Sequence, residues 1–159
     1  MQSDRTTCVA TMGKVAFNTL TLVTALGAGL PPVLCDAHAL DPQLDCKSNA
    51  HEFIASLVGD KAIEAKPMRI EPNSVNAFRP AHGSNLTAFG FRVYAVFGYE
   101  PNDAMFKQGS GHPATASSYG VVVTGPAESV EARVRQAGSD AIIHEVVPLL
   151  ITAVLCEGN

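Results

Sequence analysis

Between Val15 and Cys35 the chain runs for 21 residues without a charge, and this stretch decides how much of the 159-residue sequence is left to fold. Lys14 precedes the run, Pro31-Pro32 break it, and it passes into Asp36-Ala37-His38-Ala39 with small residues at Ala37 and Ala39. A basic flank, an apolar segment and an A-x-A-like close form the layout of a secretory signal peptide. The sequence therefore predicts a leader over 1–39, cut after Ala39, and one globular domain over 40–159. Met12-Gly13-Lys14 makes a more compact basic region than the first residues do, so Met12 is an alternative start. An uncleaved membrane anchor fits less well, because Asn18, Thr19, Thr21, Thr24, two glycines and the proline pair interrupt the apolar run. Lipidation at Cys35 meets Leu34 where a lipobox needs a small side chain.

Cleavage after Ala39 removes Cys8 and Cys35 and leaves Cys46 and Cys156, one near each end of the remaining domain. An even pair in an exported chain predicts a single disulfide between them. It closes a loop of about 110 residues, for which the chain-entropy model gives about 4–5 kcal/mol. The domain keeps nine Lys and Arg against thirteen Asp and Glu. No general positive field gathers phosphates, so nucleic acid is not an expected partner.

The periodicity is that of a small mixed domain. Ala50, Phe53, Ile54, Leu57 and Val58 mark one face of a helix over Asp45–Gly59, with Asp45 or Ser48 as N-cap and Cys46 at its start. Pro67, Pro72 and Pro80 leave room only for short extended pieces around Met68–Ile70 and Ser74–Phe78. Leu86–Tyr99 reads as one long central strand, apolar at Phe89, Phe91, Val93, Ala95 and Phe97, with Arg92 and Tyr94 on the opposite face. Tyr119–Thr124 is a second strand. Pro126 opens a helix that carries Val130, Val134 and Ala137 and stops at Gly138. Ala141–Leu155, interrupted by Pro148, reads as two strands or one bent edge strand. This order predicts an α+β two-layer sandwich, with an antiparallel sheet of about four to six strands and two helices on one face.

Chemical signatures are scarce. His51, His82, His112 and His144 lack metal-ligand spacing, and Ala55 stands where H-E-x-x-H needs its second histidine. Nucleophile-elbow and phosphate-loop motifs do not occur, so the sequence points to no catalytic residue, metal or cofactor. Asn85-Leu86-Thr87 is a glycosylation sequon of the kind that arises by chance.

Two clusters stand out as partner-binding candidates. The first is the long connection 98–118, in which Met105, Phe106 and Lys107 form an exposed anchor or fold back as a lid, and which also carries His112. The second is Arg92 and Tyr94, with Arg79 and His82 upstream, since Arg and Tyr are enriched at binding hot spots. The resulting expectation is a periplasmic or secreted binding protein, without a membrane span after cleavage, that docks a protein partner in the cell envelope. An inhibitor or immunity factor against an envelope-acting enzyme is its concrete form. The alternatives are a small periplasmic hydrolase using carboxylates and His112 or His82, and a structural subunit joined through a strand edge at 141–155.

Overall fold

In the computed structural model of the protein, which describes residues 38–158, the stretch expected as one strand from Leu86 to Tyr99 is two. Phe89 (φ 53°) and Gly90 (φ 82°) both take the left-handed backbone. That pair of angles is a type I′ turn, the two-residue connection whose twist suits a hairpin. It joins Leu86–Ala88 to Phe91–Tyr99, with Ala88 opposite Phe91. Glycine is at home there and phenylalanine is not, but the Phe89 side chain is buried and its N–H donates to Asp41 Oδ1 at 3.0 Å. The turn is thus set by packing, and residue type at Phe89 gave no sign of it.

The strands are β1 (His38–Ala39), β2 (Arg69–Ile70), β3 (Asn76–Phe78), β4 (Leu86–Ala88), β5 (Phe91–Tyr99), β6 (Ser118–Thr124), β7 (Ile142–Val147) and β8 (Ile151–Glu157). They form one eight-stranded sheet with the path β1-β4-β5-β6-β8-β7, and the β2–β3 hairpin also joins β5. The strand count exceeds the expected four to six, because the hairpin break and β1 each add one to the six pieces read from the sequence. The sheet is mixed rather than purely antiparallel, since β1 runs parallel to β4. As expected, β5 is central. Pro148 separates β7 from β8, and it is β8, pairing with β6 over all seven of its residues, that enters the sheet interior while β7 takes the edge.

Two helices complete the α+β sandwich, α1 (Ala50–Gly59) and α2 (Ala127–Gln136). The cap of α1 is Asn49, whose side chain accepts from the Glu52 N–H at 2.9 Å, rather than Asp45 or Ser48. Cys46 accordingly lies in the lead-in to the helix and not in its first turn. Phe53, Ile54 and Leu57 of α1 and Val130 and Val134 of α2 join one buried cluster with Val93, Val96, Tyr119, Val121, Val123 and Val154. Ala137 stays exposed. Tyr119 is the largest fully buried side chain; its ring centroid is 4.9 Å from that of Phe53 and its hydroxyl accepts from the Ser48 N–H at 3.2 Å. Burial raises the Tyr119 pKa above its ordinary value, against the pull of that N–H.

The sulfurs of Cys46 and Cys156 are bonded, across a sequence separation of 110. The bond ties the lead-in of α1 to β8. Among the described residues no helix is long and apolar enough to cross a membrane. The expected leader lies outside these residues apart from its last two, His38 and Ala39, which form β1. Leu40 follows, fully buried, with its N–H donating to Thr87 O at 2.8 Å.

Replacing both Cys46 and Cys156 by alanine is expected to lower the unfolding free energy by about 3–5 kcal/mol, because the loop closed by the bond is long. Urea denaturation of oxidised wild type against the double variant measures it. A loss below about 1 kcal/mol would show that the bond adds little to the sheet and helix packing.

Candidate functional site

The connection after β5 covers the body of the protein. Phe106 is only 3% exposed and meets Tyr99 edge-on, with ring centroids 6.3 Å apart. Gly98 makes this approach possible. A β-carbon there would lie 2.9 Å from Ile54 Cγ1 and 3.3 Å from the Phe106 ring. Buried Asn76 brackets the next residue, accepting from the Lys107 N–H at 3.0 Å and donating to Lys107 O at 2.8 Å. Ser117 Oγ accepts from the Ala50 N–H at 3.1 Å and donates to Glu100 Oε2 at 2.8 Å, closing the far end of the loop onto α1. An exposed anchor at Met105 and Phe106 is therefore replaced by local packing. Lys107 and His112 are exposed on the same loop.

One further contact fastens this loop to α1. His51 Nδ1 lies 2.5 Å from Asp103 Oδ2, while Asp103 Oδ1 accepts from the Met105 N–H at 2.8 Å. Desolvation pushes the Asp103 pKa up, but the Met105 N–H and the His51 ring outweigh it and the carboxyl titrates below its ordinary value. The pair spans 52 residues of sequence, so no local spacing could have shown it.

The second cluster is brought together. Arg79, His82, Arg92 and Tyr94 all line one open cleft of about 550 Å³, together with Met68 and Thr124. The geometry of β5 creates it. On one edge β5 pairs with β4 at Arg92 and with β3 from Val96 to Gly98, but with neither at 93–95. The chain leaves the sheet after β3 and returns at β4, and the cleft occupies the gap. On the other edge the register against β6 slips between Val93 and Ala95, so Tyr94 is the extra residue of a β-bulge. Its side chain is 60% exposed.

The wall opposite is braced through its backbone. Glu64 N–H donates to Arg79 O at 2.9 Å and Ala81 N–H to Ala62 O at 2.9 Å. Ser84 Oγ donates to Ala81 O at 2.7 Å and lies 3.1 Å from Ala62 O. Gly83 turns the chain here with φ 84°, an angle that other residues adopt at a cost.

The described charges in the cleft have one sign. Among the described residues no Asp or Glu lines it, and neither Arg79 nor Arg92 is within 4.0 Å of a carboxylate. Arg69, by contrast, meets Glu71 at 2.7 Å. His82 and His112 have no carboxylate partner among the described residues, and His51 with Asp103 lies outside the cleft. No group of three His, Cys, Asp or Glu suited to a metal ion occurs among the described residues. Sequence reasoning grouped Arg79, His82, Arg92 and Tyr94 but had no signal for Met68, just before β2, or Thr124, at the end of β6.

No family model matches the chain, and neither the curated proteins nor the solved structures contain a match to it.

Two outcomes follow from the packed loop. Phe106→Ala is expected to destabilise the fold by about 3–5 kcal/mol, the range for truncating a buried phenylalanine; a loss under about 1 kcal/mol in a denaturant melt would contradict its place in the core. Asp103→Asn is expected to cost about 0.5–1 kcal/mol at neutral pH, discounted for the exposed histidine. Because the folded-state pKa of Asp103 is depressed, this contribution is present above the ordinary aspartate pKa and disappears as the pH falls through the lower, folded value. Urea curves of wild type and variant should therefore converge in acid, and a gap that persists at about pH 2 would refute the assignment.

Proposed function

We propose that this chain is an exported binding protein, periplasmic or secreted, that docks a protein partner of the cell envelope through the cleft rimmed by Arg79, Arg92 and Tyr94. The observation that carries the reading is Tyr94, 60% exposed at the bulge of β5 beside two guanidinium groups that have no carboxylate partner among the described residues. A tyrosine and arginines at the edge of a braced concavity are the side chains that most often dominate protein interfaces. The disulfide suits an oxidising compartment, in keeping with the leader-like N-terminal segment. An inhibitor or immunity factor against an envelope-acting enzyme needs only such a rigid scaffold and a recognition surface, and is the form of binding protein proposed. The docking surface is the cleft side of β5 rather than the packed loop 98–118.

A second reading, a structural subunit of an envelope assembly, is favoured by the outer strand β7. It ends the sheet path, and Val146, Leu149 and Leu150 near its turn are 55%, 74% and 63% exposed. An apolar sheet edge of this kind is a template for strand addition.

Affinity capture from envelope extract with wild type, Tyr94→Ala and a Leu149→Ser/Leu150→Ser variant separates the two. Tyr94→Ala is expected to reduce recovery of the partner about tenfold or more, with an unchanged melting temperature. If Tyr94→Ala retains every partner and the leucine variant loses them, the assembly reading takes its place.

A further inference from the structure

We infer that the cleft at the β5 bulge recognises an acidic segment of the partner protein, with Arg79 and Arg92 gripping its carboxylates. This rests on the docking reading above and specifies the chemistry of the partner.

The inference begins from a contrast of charge. The sequence as a whole is acidic, with net charge −4, yet among the described residues the cleft holds two arginines and a histidine and no carboxylate. Some cations of the described surface find acids: Arg69 meets Glu71, Lys47 meets Asp45 at 3.4 Å, and Arg135 meets Glu131 at 3.9 Å. Arg79 and Arg92 instead line one cavity together, and among the described residues neither has a carboxylate within 4.0 Å. A guanidinium presents its N–H groups in a plane that matches the two oxygens of a carboxylate.

The shape of the site selects among anions. A cleft of about 550 Å³ falls in the range that holds small molecules and peptide side chains, far more than one inorganic ion fills. Met68, 38% exposed, and the Tyr94 ring add apolar contact beside the charges. An aspartate or glutamate carried on a peptide uses both features, placing its carboxylate on the arginines and its backbone and methylenes along the ring and thioether. The bracing of the 79–84 wall by Ala62, Glu64 and Ser84 means that little order has to be created on binding.

Fluorescence anisotropy with the purified, disulfide-intact protein tests this, using a fluorescein-labelled oligoglutamate peptide, its oligoglutamine counterpart and inorganic phosphate as competitor. The glutamate peptide is expected to bind about tenfold or more tightly than the glutamine peptide, and Arg79→Gln and Arg92→Gln each to weaken it about tenfold. Arg92→Lys, which keeps the charge and loses the fork, should recover only part of that loss. Unchanged melting temperatures confirm that the variants are folded. Equal binding of the two peptides, or a double Arg79→Gln/Arg92→Gln variant that binds as wild type does, overturns the inference. So does complete displacement by phosphate at a concentration where acetate has no effect, which would make the cleft a free-phosphate site. Partner capture that still depends on Tyr94 while the arginine variants are silent removes this inference and leaves docking intact. Capture indifferent to Tyr94 while the acidic peptide still binds does the reverse.

Discussion

Strand β5 cannot be paired continuously along both of its edges, and the rest of the architecture is arranged around that constraint. One edge is taken by β6, with a bulge at Tyr94. The other is shared between β4 and β3, with a gap between them. Each interruption has a consequence. The bulge adds local twist at a large exposed aromatic, and the gap leaves a concavity where a continuous ladder would have left a flat edge.

The inner face of the same strand supports the opposite property, a closed and well-filled core. Val93 and Val96 belong to the same buried cluster as both helices, Tyr119 lies tilted against Phe53, and the disulfide holds the lead-in of α1 against β8. The long connection after β5 also belongs to this side. It is irregular in backbone but packed, through Phe106 beneath α1 and through the amide bracket of Asn76. Loops of this length are frequently functional; this one is tied to the core through Phe106 and Asn76.

The elements with strong periodicity were legible before folding. The face of α1 through Phe53, Ile54 and Leu57, the run Tyr119–Thr124 and the pairing of Cys46 with Cys156 all follow from local pattern or elimination, and all appear in the structure. Arg79, His82, Arg92 and Tyr94 do line one cleft, but it is the β4–β5 hairpin at Phe89 and Gly90, absent from the sequence reading, that brings Arg92 and Tyr94 back beside the 79–84 turn. What escaped were features defined against distant partners. Phe89 adopts a left-handed turn because its ring is buried and Asp41 receives its N–H. Asn49 displaces Asp45 and Ser48 as the helix cap because the chain from Cys46 to Ser48 is held by the disulfide and by the Tyr119 hydroxyl.

By itself, then, the sequence determined the class of the fold, its oxidised cysteine pair and the chemical character of its candidate site, since residue type, spacing and hydrophobic period are local quantities. The tertiary structure alone decided that Phe106 is core and that two arginines thirteen residues apart share one cleft whose described lining holds no carboxylate. Exposure and charge pairing are sums over neighbours from every strand of the sheet. No stretch of chain read alone contains them.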